Sequence, residues 1–70
     1  MSENNVAEYK GVKSNSTYTV TTENGRAFLG VTGEAATNPK VIAEKERIRK
    51  SGGDEVELVK WIARKLANTY

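Results

Sequence analysis

Seventy residues, 29% of them charged and 37% apolar, are enough for one small domain, because a chain this short hides only about 60% of its unfolded surface on folding. With no Cys to staple the core, stability must come from packing or from a second copy, and a homodimer is expected. The absence of His and Cys and the single Asp, Asp54, remove the usual general base, the thiolate nucleophile and the common transition-metal ligands, so neither an enzyme nor a metal, cofactor or small-molecule substrate is expected.

Along the chain, Met1 to Ala7 is polar and reads as a frayed tail ahead of one domain spanning 1–70. From Tyr9 the apolar period becomes two. Thr17-Tyr18-Thr19-Val20-Thr21-Thr22, Asn24-Gly25 and Arg26-Ala27-Phe28-Leu29-Gly30-Val31-Thr32 form the strongest short-range hairpin signal, since both turn positions need positive φ. A two-residue loop pairs Glu23 with Arg26, Val20 with Leu29 and Tyr18 with Val31. Tyr18, Val20, Ala27, Leu29 and Val31 then share the core face, and Thr17, Thr19, Thr21, Phe28, Gly30 and Thr32 the other. Upstream, residues 8–13 add a third strand through Ser14-Asn15-Ser16. A three-residue loop places Val12 opposite Tyr18 in the core and sends Tyr9, Gly11 and Lys13 to the Phe28 face; a two-residue loop reverses this. The first is preferred because it buries Val12.

Asn38-Pro39 reads as N-cap and N1, and Gly52 as the stop of a helix from Pro39 to Ser51 with a narrow apolar edge of Val41, Ile42 and Ile48. A second helix is expected from Asp54, with Glu57 completing a capping-box-like pair and Val56, Leu58, Val59, Ile62 and Leu66 as its stripe. Trp61 lies beside that stripe and Tyr70 follows it, so this helix carries more apolar surface than one small sheet covers. The expected fold is α+β: a small antiparallel two- to three-stranded sheet packed against two C-terminal helices.

The string Tyr9-Lys10-Gly11-Val12, Tyr18 with Val20, Asn24-Gly25-Arg26, Leu29-Gly30 and a helix resembles, over about residues 9–50, the three-stranded sheet plus helix of Apetala-two-type DNA-binding domains. It is also similar to the arm-site-binding domains of tyrosine recombinases. The resemblance implies a sheet face lying in the major groove, with Lys10 at the basic position before Gly-Val and Arg26 at the basic position after the turn Gly. Here the outer face is mostly Thr instead of Arg and Trp, the segment from Val31 to Asn38 is longer, and a second helix is appended.

Charge is uneven: residues 1–38 carry three bases against four acids, and residues 39–70 eight against five, a mild basic balance that permits an anionic partner. Phe28, the Thr hydroxyls and, in the preferred register, Tyr9, flanked by Lys13 and Arg26, suit stacking and phosphate contact, although packing of Phe28 against the tail or a dimer mate weighs more. Lys40, Lys45, Arg47, Arg49 and Lys50 could follow a phosphate backbone, interrupted by Glu44 and Glu46. Asn15-Ser16-Thr17 matches a glycosylation sequon and reads as a polar turn, and Gly30-Val31-Thr32-Gly33 reads as a strand end. No apolar run is long enough to cross a bilayer and no secretory pattern opens the chain, so a cytoplasmic protein without a membrane partner is expected.

The expected function is a small accessory or regulatory protein, of the kind carried by phages and mobile elements, that binds nucleic acid, DNA first. Lys10, Lys13, Arg26, Phe28, Arg47, Arg49 and Lys50 would make its contacts. The alternative is a regulator or inhibitor of another protein, with Trp61 and Tyr70 at its interface.

Overall fold

The Asn24-Gly25 dipeptide sets the centre of the fold. In the computed structural model, which describes residues 4–70, Asn24 and Gly25 have φ of 55° and 79°, the paired positive values of a hairpin turn whose twist matches that of its strands. The turn joins β2 (Ser16–Glu23) to β3 (Arg26–Gly33) and sets Val20 opposite Leu29 and Tyr18 opposite Val31. Tyr18, Val20 and Ala27 are fully buried on one face, whereas Thr17, Thr19, Thr21 and Phe28 alternate onto the other and are only half-buried.

A third antiparallel strand, β1 (Asn4–Lys10), pairs with β2 to give the order β1-β2-β3. It reaches into the segment read as a tail: residues 4–7 are strand, and residues 1–3 lie outside the described residues. A bulge between Asn5 and Ala7 turns Val6 outward and lets Ala7 and Tyr9 face the core opposite Val20 and Tyr18. This corrects the expected register. Tyr9, not Val12, sits opposite Tyr18, because pairing stops at Lys10↔Thr17 and the chain leaves the sheet at Gly11. Val12 is 71% exposed; its backbone N–H donates instead to the Ala67 carbonyl at 2.9 Å, one of the last-turn carbonyls that lack a partner within their own helix.

The long stretch after β3 is a single 3-10 turn, Glu34–Thr37. It is stitched back to the β1–β2 loop by the buried Ser16 hydroxyl, which accepts from Ala35 N at 2.8 Å, and by the Glu34 carboxylate, which accepts from Asn15 N at 2.8 Å. Helix α1 (Pro39–Lys50) starts as expected, with the Asn38 side chain accepting from Lys40 N at 2.9 Å. It ends on a two-glycine stop: Gly52 N donates to Arg49 O and Gly53 N to Ile48 O, each at 3.0 Å, the two-bond pattern of a Schellman cap. Val41 and Ile48 bury one edge of α1 against β3.

Helix α2 (Val56–Thr69) begins two residues later than expected. Asp54 does not cap it: the N-cap is Glu55, and the Asp54 side chain accepts from Glu55 N at 2.9 Å instead of from a first-turn amide, while the Asp54 backbone is used elsewhere. Its N–H and C=O exchange two hydrogen bonds with Ala27, at 3.0 and 2.8 Å, extending the sheet by one residue beyond β3. Val59, Ile62, Ala63, Leu66 and Ala67 of α2 lie across the core face of the sheet in one cluster with the strand and α1 residues. Full burial of aliphatic side chains such as Val41, Ile48 and Val59 is worth about 1.5–3 kcal/mol each. Within this core the Tyr18 hydroxyl meets no hydrogen-bond partner among the described residues. Burial, with Tyr70 nearby, pushes its pKa above the ordinary tyrosine value.

Candidate nucleic-acid interface

The outer sheet face is built by strand alternation. Thr19, Thr21, Phe28 and Gly30 meet there in a hollow of about 400 Å³, walled by Lys45 and Arg49 of α1 and by Glu23. Gly30 gives its place on the floor to the Thr19 hydroxyl, whose oxygen would lie 2.7 Å from any Cβ there. The walls follow from the pitch of α1: Lys45 and Arg49, four residues apart, stand on one flank of the Val41/Ile48 stripe, while Lys40, Glu44 and Arg47 stand on the other. One helix thus delivers two cations to the sheet face and two to the opposite side. Among the described residues no group of acids is placed to hold a metal ion.

The expected contact residues do not gather in one place. Lys10 lies on the outer face, its ammonium 3.5 Å from Glu8 and donating to the Thr17 hydroxyl at 3.4 Å. Phe28 lies there too, opposite Thr21, but half-buried and packed against the core. Its ring reaches the Gly53 turn, where Cζ would stand 3.0 Å from a Cβ added to that glycine. Arg49 joins them while bonded to Glu46 at 3.3 Å.

The other four lie elsewhere. Arg26 is drawn toward the α1–α2 connection, where its Nε and Nη2 donate to the Gly52 and Gly53 carbonyls at 3.1 and 2.6 Å; it clamps the turn at the hairpin end of the sheet. Lys13 stands at the other end of β2, beside Glu34, Asn38 and Tyr70. Arg47 faces the groove between the helices and is held by Glu44 at 2.8 Å, a hydrogen bond and charge that keep its guanidinium still more firmly protonated. Lys50 is exposed on the last turn of α1. Lys45, one of the α1 cations that could follow a phosphate backbone, is not in the expected contact set, yet it lines the hollow of the outer face. Its signal was its position between Val41 and Arg49 at four-residue spacing, beside the buried edge of the helix instead of on its solvent crest.

On the opposite side, Trp61 is 58% exposed, with the Lys65 ammonium 5.0 Å from its ring centre. Tyr70 is half-buried against the core, and its carbonyl accepts from the Ser14 hydroxyl. No family model matches this chain, and no curated protein or solved structure does either. No helix of the described residues is long and apolar enough to cross a membrane.

Proposed function

We propose that the protein binds nucleic acid, DNA first, along the outer sheet face, with Lys45, Arg49 and Lys10 contacting phosphates and the exposed part of Phe28 meeting a sugar or base. The observation that supports this is the hollow of Thr19, Thr21, Phe28 and Gly30 with two cations of α1 along its wall. Hydroxyls and ammonium or guanidinium groups are the usual donors to phosphate oxygens, and they position a strand without reading its sequence. Lys45 makes no ion pair among the described residues and is ready for such a contact, whereas Arg49 must exchange Glu46 for phosphate. The face therefore suits modest, strongly salt-dependent binding.

Backbone NMR titration with duplex and single-stranded DNA at two salt concentrations tests the reading. Amides of Thr19, Thr21, Gly30 and Lys45 should shift, and the shifts should fade at the higher salt. Lys45→Ala and Arg49→Ala should each lower the slope of log affinity against log salt by roughly 1. Shifts confined to other surfaces, or an unchanged slope, would refute it.

Protein binding is a second reading, favoured by a separate observation: Trp61 and Leu58 are 58% and 40% exposed beside a groove between the helices. Exposed Trp side chains anchor protein contacts more often than most residue types.

A further inference from the structure

The groove between α1 and α2 has a volume of about 550 Å³ and a division of chemistry that the outer face lacks. Its floor is apolar, made by Ala43, Leu58, Ile62 and Leu66 with Trp61 at the side, and its rim carries Lys40, Arg47 and Lys65. The acid beside them, Glu44, already accepts from Arg47 at 2.8 Å and 3.2 Å, so the rim remains cationic. Lys65, exposed on α2, sits over the Trp61 ring with its ammonium 5.0 Å from the ring centre.

We propose that this groove docks an acidic amphipathic helix of a partner protein, its apolar side chains seated against Leu58, Trp61 and Leu66 and its carboxylates against Lys40, Arg47 and Lys65. The proposal rests on the protein-binding reading and gives it a partner chemistry. Two neighbouring helices offer ridges between which a third helix lays an apolar stripe at i, i+3, i+4 and i+7. A groove of this volume admits a few such side chains and no more. Charge selects among the occupants. A second copy docking through this groove about a two-fold axis would bring Lys40, Arg47 and Lys65 toward their own counterparts, and like charges facing each other oppose that contact. A phosphate backbone matches the rim but not the apolar floor, and a flat anionic bilayer does not fill a trough. An acidic helix matches both floor and rim.

The protein has one Trp, so tryptophan emission reports this groove alone. The probe is a capped synthetic peptide with Leu at the amphipathic spacing and Glu at the other positions, set beside a twin with Lys in place of Glu. The acidic peptide should saturate and shift Trp61 emission to the blue, and the basic twin should not. The double variant Lys40→Glu with Lys65→Glu, both on the exposed surface, should lose about tenfold or more for the acidic peptide and gain binding of the basic one; Trp61→Phe, read by NMR titration, should weaken the acidic peptide while retaining the fold. Equal binding of both peptides would leave the protein-binding reading standing and overturn the acidic partner. No binding of either peptide would overturn both. A Trp61 shift driven by protein concentration alone, or by anionic phosphatidylglycerol vesicles without a peptide response, would assign the groove to a second copy or to a membrane surface and overturn the proposal.

Discussion

Gly52 and Gly53 offer a paired test of how the α1–α2 connection is held. Both have positive φ, 83° and 99°, so Ala at either should incur the left-handed penalty of about 1–2 kcal/mol. They differ in surroundings. A Cβ on Gly52 would meet nothing within 4 Å, whereas one on Gly53 would lie 2.6 Å from Arg26 Cβ, 3.0 Å from Phe28 Cζ and 3.2 Å from the Ala27 carbonyl oxygen. The nearest of these atoms is fixed by the β3 backbone, so the turn itself must move away. That movement loosens the two Ala27–Asp54 hydrogen bonds, each worth about 0.5–1.5 kcal/mol net, on top of an overpacking cost of about 1–3 kcal/mol. Gly52→Ala should therefore lose about 1–2 kcal/mol and Gly53→Ala about 3–8 kcal/mol. In a domain of this length the gap corresponds to a Tm difference of roughly 10 °C or more. Thermal and urea unfolding followed by circular dichroism would measure both. Equal losses at the two positions would refute the close packing of the turn against β3.

Tyr18→Phe removes a buried hydroxyl that has no partner among the described residues, so at neutral pH the variant should match or exceed the parent in urea unfolding; a loss above about 1 kcal/mol would reveal a hydrogen bond. Because burial raises the folded pKa of Tyr18, the unfolded chain ionises first as pH passes about 10. The parent should lose stability above that pH relative to Tyr18→Phe, and parallel pH profiles would contradict the burial. Phe28→Ala should cost about 2 kcal/mol, roughly half the penalty of a fully buried Phe, without unfolding the chain, and an unchanged melting temperature would show that its ring is free of the Gly53 turn. Asn38→Ala should cost about 1 kcal/mol by removing the α1 cap, measurable in the same assay.

The hairpin, its register and the start of α1 were legible because each depends on local chemistry: positive φ at Asn24-Gly25, period-two alternation, and an Asn-Pro cap. The first strand was not. Its register depends on a bulge at Val6 and on a backbone hydrogen bond from Val12 to the far end of α2, and neither leaves a trace in hydrophobic period. Asp54 and Glu57 have the spacing of a capping box, but the backbone pairing of Asp54 with Ala27 holds it one residue ahead of the N-cap, with its side chain on Glu55 N, a long-range constraint that local rules do not see. The same holds for the candidate interface. Strand parity places Phe28 on the outer face, as the structure has it, whereas the sequence does not tell which of the α1 cations, Lys40, Lys45, Arg47, Arg49 and Lys50, share that face. Which flank of α1 faces which surface is decided by how Val41 and Ile48 dock on β3.

The two margins of the sheet differ in what they leave open. At the β3 side the Asp54 backbone occupies Ala27 and α1 packs along the strand, while among the described residues β1 is bordered by no further strand. Growth of a sheet by strand addition into an unlimited fibre needs two free margins on every molecule, one to give and one to receive. Two chains joined antiparallel along β1 would make a six-stranded sheet, whose outer margins would be the β3 strands, each bridged at Ala27 by Asp54 and packed by α1. The bulge beside Val6 and the charges of Glu8 and Lys10 hinder that step, and on the β3 side the α1–α2 connection covers the edge at Ala27, so the same turn that closes the core also shortens the exposed margin.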